Sequence, residues 1–189
     1  NTVSNDKKYK LLKSLEDESF VDKVDITDSI IHIKTKKGVI AVRPLTSFLT
    51  FLKNDPDIET DSRIGKCHEK SMAISQILGS SNEVVTGYIC GLSNKQKYLH
   101  SWVEVKLADN YPVVIDYTIN AVMNRDGYYL LKHPKILNRV SNEDIKNDQK
   151  YILSFSETVQ SINIKEYLVF RDEIMRDINK NKLLFDEEE

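Results

Sequence analysis

Cys67, His100 and Asp116 are the residues whose types, order and settings could do chemistry together. A thiol is a nucleophile, an imidazole takes and returns its proton, and a carboxylate orients the imidazole and stabilises its cation. Cys67 opens the helix-like segment 67–78, in which Ala73, Ile74, Ile77 and Leu78 form one apolar stripe. His100 begins the strand-like run 100–107, and Asp116 closes the apolar run Val113-Val114-Ile115. The helix start and an imidazolium at His100 would both favour the thiolate, and the Cys67 amide could hold a developing oxyanion. The chemistry that follows is acyl transfer through a thioester on Cys67.

This requires His100 and Asp116 to share a sheet face, which constrains the register. Side chains alternate along strands, and residues directly opposite each other lie on one face. A two-residue turn at Asp109-Asn110 would set Asp116 opposite Val103, on the wrong face. A three-residue loop, Ala108 to Asn110, pairs Leu107 with Tyr111 and sets Asp116 opposite Trp102, diagonal to His100. An odd-length loop or a bulge is therefore predicted. Trp102 falls on the same face, where it either shields the His100–Asp116 contact, walls a cleft or simply fills the core. Glu104 also falls there and reads as a surface residue, a weaker substitute for Asp116.

The elements that must position these residues follow from periodicity. A helix is predicted over 5–20 from Tyr9, Leu12, Leu15 and Ser19. Asp28 to Val42 reads as a hairpin turning at Lys37-Gly38, with His32 as a strand residue rather than a ligand. Leu45, Phe48, Leu49 and Leu52 suggest a short helix stopped before Pro56, and 54–64 a polar loop. Strands follow at 84–92, 100–107 and 112–118, with Gly87 and Gly91 where a neighbour approaches closely. Gly127 to Leu131 reads as a further strand, Ser141 as the cap of a helix, and 164–180 as a C-terminal helix. The segregated order favours an α+β fold: an antiparallel sheet packed against the helix that starts at Cys67.

Composition bounds the rest. The chain has 189 residues, 40% hydrophobic and 30% charged, which suits one soluble domain. We divide it into N-terminal helices and hairpin (1–55), a central core (56–125) and a mostly helical extension (126–189). A net charge of −2 gives nucleic-acid binding no electrostatic support. No apolar run reaches membrane-spanning length. The chain begins at Asn1, so an upstream segment is expected and the compartment, cytoplasmic or secreted, stays open. Two cysteines make no disulfide framework, although a Cys67–Cys90 bond in an oxidising compartment would exclude catalysis. Cys90, between Ile89 and Gly91, reads as a small core residue. No paired ligand spacing marks a metal site, and no cofactor is expected. His68 reads as a polar residue of the first helical turn, at the edge of a cleft.

At these positions the sequence resembles the transglutaminase-like superfamily of cysteine enzymes. The resemblance rests on Gly65-Lys66-Cys67 with its following helix, on His100-Ser101-Trp102-Val103-Glu104, and on Val113-Val114-Ile115-Asp116 with Tyr117-Thr118 after it. Val84-Val85-Thr86-Gly87-Tyr88 looks like the family strand preceding the histidine segment. The match spans residues 63–120. It implies a papain-like core with Cys67 as nucleophile, His100 as base and acid, and Asp116 as orienter. It further implies a peptidase, amidase or acyltransferase acting on a protein or peptide substrate. Thr60-Asp61-Ser62-Arg63 departs from related enzymes, offering no Gln or aromatic as a second oxyanion donor. The alternative is a non-catalytic protein–protein interaction domain that keeps the fold. Substrate and oligomeric state are not readable from the chain.

Overall fold

A computed structural model of the chain describes residues 12–17, 19–27, 30–45, 67–78, 81–90, 96–106 and 112–145. The strands are β1 (Val21–Thr27), β2 (Ile30–Thr35), β3 (Gly38–Pro44), β4 (Asn82–Cys90), β5 (Lys97–Lys106), β6 (Pro112–Asp116), β7 (Ala121–Asn124) and β8 (Lys135–Ser141). The helices are α1 (Cys67–Leu78), α2 (Arg125–Lys132) and the single turn α3 (Asn142–Ile145). All the pairings are antiparallel, and the strands form one eight-stranded sheet ordered β1-β2-β3-β7-β6-β5-β4-β8. The α+β reading therefore holds at the level of an antiparallel sheet carrying a few helices.

Helix α1 covers one face of β4 and β5, burying Ala73, Ile74 and Leu78. Its end is tied to the sheet by reciprocal bonds: Ser75 Oγ donates to Asn82 Oδ1 (2.5 Å), and Asn82 Nδ2 donates to the Ser75 carbonyl (3.0 Å). Helix α2 lies on the opposite face, where Tyr128 and Leu131 join Val85, Ile89, Trp102, Val114 and Met123. That core continues across β1–β3 through Val24, Ile31, Ile33, Ile40 and Val42, with Leu12 and Leu15 packed on it.

Several expectations change. Gly127 to Leu131 is helix, not strand. The boundary signals are in the sequence: Asn124 at the cap position, Asp126 in the first turn, Lys132 in the last and Pro134 just beyond. Gly127 is there for close packing rather than for a strand, since a Cβ would come within 2.8 Å of the Ile40 side chain. Strands β1, β7 and β8 were not anticipated. β8 pairs with β4 across a bulge at Thr86/Gly87, where a Cβ on Gly87 would run into the Lys135 carbonyl. That is the close approach expected there. The predicted helix over 5–20 is seen only at its end. Leu12 and Lys13 are helical, Ser14–Asp17 form a 3₁₀ turn, and Val21 already starts β1. The hairpin β2–β3 turns at Lys36-Lys37, where Thr35 Oγ1 accepts from the amides of Lys37 and Gly38. At the cap of α3, the Asp144 amide donates to Ser141 Oγ (3.3 Å), as its sequence suggested. The expected elements at 46–66 and 164–180, and the acidic tail, lie outside the described residues.

Candidate active site

The site is built where β6 stops. Its pairing with β5 runs from Lys106↔Pro112 to Val103↔Ile115, the register that sets Asp116 beside Trp102 and on the face of His100. The chain then turns through Tyr117–Asn120, closed by the Asn120 amide on the Tyr117 carbonyl (3.0 Å) with Asn120 in the left-handed region (φ 50°). Within that turn the Thr118 amide donates to Asp116 Oδ1 (3.0 Å), an Asx arrangement that fixes the carboxylate locally.

His100 donates from Nε2 to Asp116 Oδ2 at 2.9 Å. Both groups are buried, at 4% and 0% exposure. Cys67 lies close enough to the His100 side chain and the Ser101 amide for both to favour its thiolate. Among the described residues β6 pairs along β5 only with Val103 to Lys106, and the first residue of α1 stands beside Ser101, just past that pairing. This is how a residue on the α1 side of the sheet meets an imidazole on the α2 side.

Electrostatics follow from this geometry. Burial alone would push the Cys67 thiol up, but the His100 hydrogen bond and charge, with the Ser101 amide, hold it below its ordinary value. Burial likewise opposes the imidazolium, yet Asp116 and Cys67 raise His100 to about 9. Asp116 is lowered to about 2, because His100, the Lys132 ammonium and the Tyr128 hydroxyl outweigh its desolvation. Lys132 is itself buried, which lowers its pKa.

Trp102 is fully buried and stacks on His100 (centroids 6.2 Å apart, 25° between planes), so it shields the imidazole from the core side and does not wall an open cleft. Tyr98, 41% exposed, contacts His100 edge-on at 5.8 Å. Its phenol is pushed up to about 12 by burial and by the charges at Asp116 and Cys67. The sequence reading missed both Tyr98 and Tyr128. Tyr98 could have been found from its spacing of two from His100, which places it on the same face.

The other expected residues fall elsewhere. His68 is exposed, with Nδ1 3.0 Å from Ser101 Oγ, which in turn lies 2.9 Å from Thr86 Oγ1. Gly65 lies outside the described residues. Glu104 is not a surface residue: at 7% exposure it accepts from Trp102 Nε1 (2.9 Å), Tyr129 hydroxyl and Arg139 Nη1 (2.9 Å). Those partners occupy it, so it does not substitute for Asp116. Cys67 and Cys90 are both free thiols. Among the described residues no group of His, Cys, Asp and Glu side chains is arranged to hold a metal ion, and no helix is long and apolar enough to cross a membrane. No family model matches the chain, and neither does any curated protein or any solved structure.

Proposed function

We propose that this chain is a thiol-dependent hydrolase or acyltransferase acting on amide or peptide bonds, most simply a cysteine peptidase or amidase with a papain- or transglutaminase-like core. The observation that carries the reading is one buried imidazole that holds Asp116 on Nε2 at 2.9 Å and lies near enough to Cys67 for each to shift the other's pKa. A buried carboxylate on one nitrogen makes the other a base for the thiol and then stabilises the imidazolium.

In the proposed reaction the Cys67 thiolate attacks the substrate carbonyl carbon, forming a C–S bond and an oxyanion. The Cys67 amide, at the start of α1, is the donor available to that oxyanion. As the C–N bond breaks, the proton on His100 Nδ1 passes to the leaving nitrogen, and a thioester remains. Water, or an amine in a transferase, then attacks the thioester and gives its proton to Nδ1. The C–S bond breaks and the thiolate is restored.

The alternative, a non-catalytic protein–protein interaction domain of the same fold, draws on the cross-strand pair Tyr88 and Leu99, exposed by 41% and 56%. One experiment separates them: iodoacetamide alkylation of Cys67 against pH, in the native chain and in His100→Ala. The proposed function requires a thiol reactive well below neutral pH and loss of that reactivity in the variant. A thiol that titrates like free cysteine in both proteins leaves the interaction domain.

A further inference from the structure

The imidazole is not the only donor on Asp116. The Tyr128 hydroxyl also donates to Oδ2, at 2.7 Å, and the bond is fully buried. Tyr128 comes from α2, on which its ring packs against Trp102 (centroids 5.4 Å apart), while Trp102 stacks on His100. One carboxylate oxygen is thus shared by the two groups, and the other is held by the Thr118 amide.

We propose that Tyr128 is a positioning residue that tempers the His100–Asp116 pair, fixing the carboxylate against Nε2 while withdrawing negative charge from that bond. This rests on the acyl-transfer reading for its use, but its physical content is separate. The hydroxyl dipole points its positive end at Oδ2, and so towards the imidazole. Its bond to Asp116 is stronger when the carboxylate charge is not already neutralised by an imidazolium. Tyr128 therefore stabilises the neutral imidazole relative to the cation and eases release of the Nδ1 proton to a leaving nitrogen. An untempered buried carboxylate would hold the imidazolium too tightly to act as a general acid.

The other titratable groups facing the pair are Cys67 from α1, Tyr98 from β5 and Lys132 from α2. The thiolate favours the imidazolium, whereas Lys132 favours only the carboxylate. The tyrosine itself stays protonated, since burial and the Asp116 charge push its phenol far up.

The test follows the His100 ring nitrogens by ¹⁵N NMR against pH in the native chain, in Tyr128→Phe, and in a chain carrying 3,5-difluorotyrosine at 128. Phenylalanine keeps the ring that packs on Trp102 and removes only the donor. Its His100 midpoint is expected above the native value of about 9, by about half a unit or more. Difluorotyrosine keeps the shape but donates more strongly, so its midpoint is expected below the native one. The Trp102 indole N–H signal reports whether each chain is folded, and either substitution alone suffices for the sign. A midpoint that is unchanged or moves the opposite way overturns the proposal and leaves Tyr128 a structural residue. Cys67 alkylation measured in the same samples reports on the thiol reading independently: an ordinary native thiol would end that reading without altering the sign seen at His100.

Discussion

Two buried carboxylates flank Trp102 on one face of the sheet, and their partners set them apart. Asp116 is bound by an imidazole, a phenol and a backbone amide. Glu104, at the other end of that face, is bound by an indole, a phenol and the Arg139 guanidinium. Both are buried and hydrogen-bonded, and each has a basic partner. The difference is that a guanidinium never gives up its proton, while an imidazole does so within reach of physiological pH. Arg139 is raised further by Glu104 and Tyr129 against the effect of burial, so its charge is permanent. The same kind of buried polar cluster is a clamp at one end and a proton switch at the other. Only the switch has a thiol beside it.

The comparison is broken most severely by Asp116→Asn. Three donors converge on the carboxylate: the Thr118 amide, Tyr128 and His100. An amide side chain offers a single acceptor oxygen, so at least one donor is left facing an NH₂ group. With the negative charge gone, burial dominates at His100 and the imidazolium is lost near neutral pH. Cys67 alkylation at pH 6–7 is expected to fall by on the order of a hundredfold, because thiolate fraction changes tenfold per pKa unit. An unaltered rate profile would mean that Asp116 belongs with Glu104, as structure only.

A second test uses proton counting. His100 has a raised folded pKa, so its contribution to stability is complete below its unfolded value of 6.5 and is lost as pH rises through about 9. Cys67 has a lowered folded pKa, so its contribution is present above its unfolded value and is lost as pH falls through the folded one. Between pH 6.5 and about 9 the two oppose each other. Where Cys67 is ionised, the folded pair holds one proton as imidazolium and thiolate, and the unfolded pair holds one as thiol and neutral imidazole. The native chain is therefore expected to show little slope from these groups across that window. Cys67→Ala removes the thiol and with it part of what raises His100, so the variant's stability should decline by on the order of 1 kcal/mol as pH rises from 6.5, over a window that closes below 9. Urea unfolding at half-unit steps of pH measures both curves. Parallel curves would sink the ion-pair assignment.

How much of this was legible beforehand differs between the two clusters. The sequence placed Cys67, His100 and Asp116 together because local rules suffice there. A helix-start thiol, a period-two strand and one loop length fix which side chains share a face, and the observed register is the one that reasoning required. Tyr128 and Arg139 were not legible. They reach the site from α2 and β8, segments whose identity depends on long-range packing rather than local pattern. Gly127 to Leu131 reads locally as a strand, although the buried side of α2 favours the helix. Glu104 was misread for the same reason, since a glutamate in alternating sequence looks solvated until a guanidinium from a distant strand covers it. Strand β8 itself depends on a bulge and a glycine that local periodicity does not announce.

At the clamp, Arg139→Met should remove the cation and keep most of the side-chain volume. Glu104 is then a buried carboxylate with only neutral donors, and unfolding should become easier by about 1–2 kcal/mol. The Cys67 alkylation profile is expected to stay where it was. A coupled change in that profile would show that the two clusters communicate through Trp102, which touches both.

The smallest effect is expected from Glu83→Gln. Arg139 Nη1 reaches Glu83 Oε1 at 3.2 Å as well as Glu104 Oε1 at 2.9 Å, yet the Glu83 side chain is 44% exposed against 6% for Glu104. Water screens the outer pair, and holding two long side chains together costs entropy, so the change in stability should stay within about 0.5 kcal/mol. Raising salt should change the native chain and the variant alike. A loss as large as that from Arg139→Met would mean that the guanidinium is held mainly from outside. Glu104 would then owe its place to Trp102 and Tyr129, and the division between a permanent clamp and a titrating switch would rest on the phenols rather than on the cations.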